Sequence, residues 1–307
     1  MDILNHLQAS ADFFIHDIIK IGLLLVVVNY IMAITRYYFP MEKARAILSK
    51  KRWLGLNYFL AALLGIVTPF CSCSSIPLFI GFMGAGIPLG VTFSFLISSP
   101  LINESSLYLF PALFGMKVTI LYNLFGLMIA VLGGMFMQSL KLEKYIIPEL
   151  LKFKSSAQVA LENGKIKIPF KKLLVYFWRD SMSITKKIFP YVFLGVFVGA
   201  VIHGFVPEIL VQKYLANDSN WTVPIAVLLG VPLYANSVSV LPIMEALVGK
   251  GVPIGTVLAF MTAIVALSFP EALILKKVMR WQLLAIFFGI TTAGIIIMGF
   301  LFNLILK

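Results

Sequence analysis

Residues 61–95, AALLGIVTPFCSCSSIPLFIGFMGAGIPLGVTFSF, decide the fold, because residues 226–260 repeat their pattern as AVLLGVPLYANSVSVLPIMEALVGKGVPIGTVLAF. Twelve of the 35 aligned positions are identical at a fixed offset of 165 residues, and eight of the twelve are Gly, Pro or Ser. These residue types set the shape of the backbone, so their recurrence at one offset indicates a structural repeat more strongly than shared leucines would. The sequence therefore predicts two similar halves.

The composition is that of a membrane protein. Of the 307 residues, 60% are hydrophobic and 12% are charged, whereas soluble domains have about 45–50% apolar and about 25% charged residues. This excludes an ordinary soluble enzyme, a disordered protein and a secreted disulfide scaffold. It indicates a polytopic α-helical membrane protein.

The positions of the basic residues indicate which loops face the cytoplasm and do not indicate a nucleic-acid partner. The net charge is +12, and the Lys and Arg residues cluster in short loops between apolar runs, as they do on the cytoplasmic side of membrane proteins. The sequence has neither a phosphate-binding loop nor a His-Glu-x-x-His zinc motif. We therefore predict no enzymatic activity, no cofactor and no nucleic-acid partner.

Each half contains five apolar stretches. The short pairs, 54–70 with 74–86 and 222–235 with 237–249, are each broken by a polar turn, and we interpret them as hairpins that enter the membrane and return. If each arm of a hairpin is instead counted as a short membrane-crossing segment, the chain has ten such segments and its loops face the same sides of the membrane. The stretches that are long enough to cross a bilayer by themselves are 17–39, 88–110, 114–138, 183–204, 253–275 and 281–304.

The charge distribution predicts that the repeat is inverted. With the N-terminus outside, residues 40–53, 139–187 and 276–280 face the cytoplasm, and together with Arg36 they hold 20 of the 25 Lys and Arg residues. Each half then has three full spans and one hairpin, and an odd number of spans inverts the second half. The fold prediction is an all-α membrane protein with an inverted repeat of 8–10 hydrophobic segments, which is the layout of secondary transporters.

Three regions follow from this interpretation of the sequence. Residues 1–138 form the first transmembrane repeat, residues 139–172 form a basic cytoplasmic linker, and residues 173–307 form the second transmembrane repeat.

The first hairpin tip, residues 68–77, has soft-ligand chemistry. It carries Cys71 and Cys73 between two prolines, whereas the equivalent positions of the second tip hold Asn236 and Val238. Thiolates favour soft centres such as Cu(I) and Zn, and a trivalent metalloid would react with them too. The asymmetry suggests that the first half carries the chemistry. The alternative is that both cysteines are small buried apolar residues.

A half-helix is expected to start after Cys73, with Ser74 or Ser75 as its N-cap. The free N–H groups of such a helix end would favour a thiolate or an anionic ligand.

A second polar break follows at residues 98–104, about 15 Å along the helix that starts at Pro88, and therefore near the middle of the bilayer. Intramembrane carboxylates are costly and indicate function by default. Glu104 is the first candidate for proton coupling, followed by Glu245 and Glu271; paired or interfacial structural roles are the alternatives. The polar residues predicted to line the site with the two cysteines are Ser72, Ser74, Ser98, Ser99, Asn103, Asn236 and Ser237.

Several motifs resemble the ArsP/YraQ permease family. The resemblance covers essentially the whole chain and implies an inner-membrane permease. Some members of that family export trivalent organoarsenicals, and by resemblance the ligand role falls on Cys71 and Cys73. The motifs are TPFCSCS at 68–74, PLF at 77–79, GIPLG at 86–90, SSPLIN at 98–103, GVPLYAN at 230–236 and GVPIG at 251–255.

The sequence thus predicts a permease, coupled to an ion gradient, for a small soft solute such as a metalloid, embedded in a lipid bilayer as a monomer or a homo-oligomer. Two alternatives stay open. The first is a membrane thiol-redox protein, or a carrier of a sulfur-containing solute, that uses Cys71 and Cys73, although a Cys-X-Cys disulfide is geometrically cramped. The second is a channel for a small neutral solute.

Overall fold

The computed structural model of the chain describes part of each half. The predicted spans 17–39 and 183–204 and most of the linker at 139–172 fall largely outside the described residues. The described residues are 55–67, 72–84, 86–103, 105–146, 173–183, 221–233, 237–249 and 251–306, with scattered residues at 15–34 and 185–193.

Within these ranges the regular structure is helical, and the only bridge between extended segments is an isolated antiparallel one from Ile146 to Met279. The first half contains α1 (Leu56–Val67), α2 (Ser72–Gly84), α3 (Leu89–Leu101), a π-helical turn (Ser105–Leu109), α4 (Phe110–Leu113) and α5 (Gly115–Ser139). The second half contains α6 (Thr222–Gly230), α7 (Ser237–Gly249), α8 (Ile254–Ala266), α9 (Phe269–Leu275) and α10 (Trp281–Ile305).

Three described segments are long and apolar enough to cross a membrane, namely 106–139, 254–275 and 281–305. Long apolar helices of this kind are typical of helical membrane proteins, since a helix satisfies its own backbone hydrogen bonds in lipid.

The two halves share their local structure at the offset seen in the sequence. Helices α7 and α8 begin and end 165 residues after α2 and α3. The turns that connect each pair are also alike, because Gly86 has φ 77° and Gly251 has φ 83°, a left-handed conformation that glycine adopts at little cost. The next helix starts after Pro88 or Pro253, whose φ and ψ differ by only a few degrees.

Two apolar stretches that were predicted as single spans are interrupted helices. In 88–110, α3 ends at Leu101, and a π-helical turn follows residues 102–104. In 253–275, α8 ends at Ala266 and α9 begins at Phe269. Pro270 contributes to the second break, since it has no N–H to donate to the carbonyl four residues earlier.

Helix α3 is the centre of the first half, and all of its residues are buried. Helix α1 runs parallel to it: a Cβ on Gly90 would lie 3.1 Å from the Tyr58 ring, and a Cβ on Gly65 would overlap the Ser98 hydroxyl. Glycine at these positions lets the helices approach closely, as small residues do between membrane helices.

The other neighbours of α3 run in the opposite direction. In α2, the Phe79 ring packs edge-on against Phe93, with centroids 5.3 Å apart. In α5, the Gln138 side chain accepts a hydrogen bond from the Gly90 N–H at 2.8 Å, near the start of α3.

Helices α5 and α10 occupy equivalent places in the two halves and pack against each other. A Cβ on Gly294 would lie 2.7 Å from Ile129, and a Cβ on Gly133 would lie 3.4 Å from Ile290. A step of four residues forward along α5, from Ile129 to Gly133, corresponds to a step of four residues backward along α10, from Gly294 to Ile290. The two equivalent helices are therefore antiparallel.

Candidate functional site

The first arm of the hairpin ends beside the polar end of α3. Since α1 is parallel to α3 and Gly65 faces Ser98, Val67, the last residue of α1, falls level with Pro100. Helix α2 precedes α3 across the turn at Gly86, and its Phe79 and Phe82 rings pack against Phe93 and Phe95, with centroids 5.3 and 5.2 Å apart.

The predicted thiol residues lie where the chain passes from α1 to α2. Cys71 belongs to residues 68–71, which are outside the described residues, and Cys73 is in the first turn of α2. The helix begins at Ser72, two residues before the expected N-cap at Ser74, so the expectation that it starts after Cys73 is wrong. In the second half, α7 starts at Ser237 in the same way, and Asn236 lies outside the described residues.

The two predicted serines of α3 are buried in helix contacts. Ser98 is fully buried beside Gly65, and its hydroxyl donates to the Phe95 carbonyl at 3.0 Å. Ser99, the next residue, is 2% exposed.

Asn103 belongs to a polar cluster just after α3 ends. Its side-chain oxygen accepts the Ser106 N–H at 3.1 Å, and its backbone carbonyl accepts the Ser106 hydroxyl at 2.8 Å. That hydroxyl is also 3.0 Å from the Asn123 side-chain oxygen, and the Asn123 amide donates to the Ser106 and Thr119 carbonyls at 3.3 and 2.9 Å. Glu104, in the middle of this segment, lies outside the described residues.

A second contact joins the end of α3 to the other half of the protein. The Tyr122 hydroxyl of α5 donates to the Leu101 carbonyl at 3.0 Å and lies 3.0 Å from the Thr262 hydroxyl of α8. Both side chains are buried. The carbonyls at the end of a helix lack intrahelical partners, so Tyr122 satisfies one that the break in the helix releases.

The other two predicted carboxylates occupy different environments. Glu271 lies in the first turn of α9 and is 1% exposed, and Ser268 is the N-cap residue. Glu245 lies on α7 and is exposed, whereas its neighbour Met244 is fully buried. Glu271 is therefore beside the break between α8 and α9, and Glu245 is on an open face of its helix.

Three polar residues at the break were not among the predicted site residues: Tyr122, Asn123 and Thr262. A Tyr-Asn pair in the middle of the apolar stretch 114–138 was a usable signal, because a polar residue in a membrane helix needs a partner. Thr262 gave no such signal, since a threonine can bond within its own helix, as this one does to the Leu258 carbonyl at 2.6 Å.

No group of three or more His, Cys, Asp and Glu residues that could hold a metal ion occurs within the described ranges. This observation does not extend to Cys71 and Glu104, which lie outside those ranges.

The helices and their interrupted segments define a helical membrane protein. Residues 6–304 match the model of a family described as a predicted permease, ArsP_1. The chain therefore belongs to this permease family, which supports a membrane transporter that handles a small molecule, as the resemblance implied.

A curated relative matches the chain over most of the length of both proteins. The UPF0718 protein MJ0584 of Methanocaldococcus jannaschii is 23% identical over 303 residues, which cover 82% of this chain and 83% of that protein. No solved structure matches the chain.

Proposed function

We propose that the protein is a secondary permease of the inner membrane that moves a soft, thiol-reactive solute, such as a trivalent organoarsenical, through a site at Cys71-Ser72-Cys73. Membership of the predicted-permease family supports transport. The two thiols, which are the only ones in the chain, support a soft substrate, because sulfur ligands prefer soft centres.

The position of the first hairpin arm is the observation that carries the proposal. Helix α1 packs beside α3 at Gly65 and Ser98, so its last residue, Val67, falls level with Pro100. We infer that the site includes the thiols, which follow Val67 in the chain, and the break after α3. Interrupted helices at membrane depth are tolerated where protein or a water-filled cavity surrounds them, and transporters place their substrate sites there.

The antiparallel packing of α5 and α10 supports an inverted repeat. Their contact at Ile129 and Gly294 joins two positions that are 165 residues apart, so each is the repeat equivalent of the other. A pseudo-two-fold axis in the membrane plane brings such equivalent positions together with opposite helix directions.

The same arrangement supports the proposed sidedness, with the N-terminus outside. Residues 139–187 and the turn at 276–280 were both assigned to the cytoplasm because of their Lys and Arg content. Ile146 and Met279 form a bridge between these segments, and the Arg280 N–H donates to the Tyr145 carbonyl at 2.8 Å. The two basic segments are thus at the same end of the molecule.

We also propose that protons drive the transport. Glu271 is the described carboxylate that best fits coupling, since it is almost fully buried beside a helix break, where an ionisable group is costly unless it has a function. Glu104 occupies the corresponding region of the first half. A protonophore and the variants Glu271→Gln and Glu104→Gln should each reduce transport, whereas Glu143→Gln, on the exposed side of the linker, should not.

A tolerance profile tests the substrate and the thiols together. The native chain and its Cys71→Ser/Cys73→Ser variant are expressed in bacteria that lack arsenic efflux, and the cells are challenged with methylarsenite, arsenite, Cu(I) and Zn. Val238→Ser is the matched control, because it places a hydroxyl at the position that corresponds to Cys73 in the second half.

We expect protection against methylarsenite from the native chain and from Val238→Ser, and none from the double cysteine variant. Equal protection by the double variant would refute the ligand role of the thiols. If no compound distinguishes cells with the native chain from cells without it, thiol trapping followed by mass spectrometry tests the alternative of a thiol-redox protein. A disulfide between Cys71 and Cys73 would then favour a redox function over transport.

A further inference from the structure

Two consecutive residues of α5 hold both sides of the break that follows α3. Before the break, the Tyr122 hydroxyl donates to the Leu101 carbonyl at 3.0 Å. After the break, the Asn123 amide donates to the Ser106 carbonyl at 3.3 Å, and its side-chain oxygen lies 3.0 Å from the Ser106 hydroxyl. Tyr122 and Asn123 are consecutive residues of one continuous helix, so together they fix the distance between the two ends of the break. We call this pair of residues the splint.

The splint also reaches the second half. The Tyr122 and Thr262 hydroxyls are 3.0 Å apart and buried. Because the Tyr122 proton goes to the Leu101 carbonyl, Thr262 is the donor in this contact, and the Leu258 carbonyl at 2.6 Å is the alternative acceptor of the same proton. In an apolar interior, a polar group that loses its partner costs more than an ordinary hydrogen bond contributes, so the contact places the end of α3 against α8 at one position.

The second half has no equivalent of this splint. At the repeat offset, Tyr122 and Asn123 correspond to Phe287 and Phe288, whose rings pack against each other with centroids 5.6 Å apart. Thr262 corresponds to the apolar Ile97. The polar splint is thus confined to the half that carries the cysteines, like the thiols themselves.

We propose that Tyr122 and Asn123 are positioning residues that hold the two ends of the break after α3 at a fixed separation, and that Thr262 links this arrangement to the second repeat. The inference deepens the proposed function, since it assumes that the tip and the break form the site. The splint itself can be tested without any transport measurement.

Thiol labelling at the break provides that test. In the Cys71→Ser/Cys73→Ser background, Ile102→Cys places a reporter at a side chain that is 1% exposed, and Ile97→Cys places a control at a fully buried position more than one turn earlier in α3. N-ethylmaleimide reaches either thiol only when the helix opens locally, so the labelling rate reports that opening.

Tyr122→Phe removes one hydroxyl and leaves the Leu101 carbonyl without its partner. We expect labelling at position 102 to accelerate by about tenfold, the factor that corresponds to loss of a typical buried hydrogen bond, with little change at position 97. Asn123→Leu and Thr262→Val should act in the same direction. Two conservative variants should label at the native rate: Thr262→Ser, which keeps its hydroxyl, and Tyr108→Phe, which loses one from a tyrosine that is 78% exposed.

Two results would overturn the proposal: an unchanged rate at position 102 in Tyr122→Phe, or an equal acceleration at both reporters, which would indicate general loosening of the fold. If the cysteine-free background does not fold, the same two reporters are placed in the native chain and the labelled peptides are separated by mass spectrometry; an unchanged rate at position 102 in Tyr122→Phe again counts against the splint. Tolerance is measured separately, in the chain with its native cysteines. Selective acceleration of labelling together with no protection by the native chain would refute the proposed substrate while supporting the splint. Protection by the native chain without selective acceleration would do the opposite.

Discussion

Gly65→Ala tests the contact that brings the hairpin tip to α3. A Cβ at this position would overlap the Ser98 hydroxyl and would lie 2.8 Å from the Phe95 carbonyl oxygen. A backbone carbonyl within a helix cannot rotate away, so α1 has to move. Overpacking of this kind costs about 1–3 kcal/mol, and the gain from replacing a helical glycine by alanine offsets about 1 kcal/mol.

We expect a net loss of about 0–2 kcal/mol relative to the native chain, and of about 1–3 kcal/mol relative to the control variant Gly289→Ala, which has the glycine-to-alanine gain alone. At about 2–4 °C per kcal/mol, the midpoint of thermal unfolding should lie roughly 2–12 °C below that of the control. The assay is thermal unfolding of the detergent-purified protein, followed by size-exclusion chromatography. Gly289→Ala is the control, because no heavy atom lies within 4 Å of its Cβ position, and it should unfold at the native temperature or above.

The variant should also lose tolerance to methylarsenite, since α1 carries one end of the tip. Ser98→Ala should restore part of the stability of Gly65→Ala but not all of it, because the Phe95 carbonyl remains in contact. If Gly65→Ala is as stable as Gly289→Ala, then α1 does not approach α3 as closely as described, and the placement of the tip fails with it.

Three further predictions concern the repeat and its orientation. In the cysteine-free background, Ile129→Cys should cross-link readily to Gly294→Cys but not to Gly289→Cys, and the reverse preference would argue against the antiparallel crossing of α5 and α10. Asn303→Leu should lower the unfolding midpoint, because the Asn303 side chain accepts the Thr256 N–H at 3.2 Å and donates to the Thr256 hydroxyl at 3.0 Å, near the start of α8. An unchanged midpoint would show that these two hydrogen bonds do not contribute to stability. A fluorescent protein inserted in the basic linker should fluoresce, because that segment is predicted to face the cytoplasm. Alkaline phosphatase fused at the C-terminus should be active, because that end is predicted to face outside. The opposite pair of results would show that the orientation is reversed.

Much of the fold follows from local sequence. The predicted arm 237–249 coincides with α7, and the predicted span 281–304 coincides with α10 to within one residue. Lipid imposes this correspondence, because a helix is the form in which an isolated apolar segment satisfies its backbone. Glycines at 86 and 251 and the prolines that follow them mark the turns, since they restrict backbone conformation wherever they occur.

The site was predictable only in part. The sequence indicates where the polar residues lie along the chain, and it correctly predicts a polar break at the end of α3. It does not show which of those residues meet. Ser98, for example, packs against Gly65, and this contact depends on how closely two helices approach, a quantity that a single sequence does not contain.

The sequence by itself determined the membrane environment, the two similar halves and the thiol pair that one half has and the other lacks, because composition, glycine and proline positions and residue chemistry are local properties. The tertiary structure decided the helix direction that brings Val67 level with Pro100, and the contacts of the Tyr122 hydroxyl with residues 21 and 140 positions away. Those features arise from packing between distant segments, since a hydroxyl in an apolar interior has to find its partner wherever the fold places one.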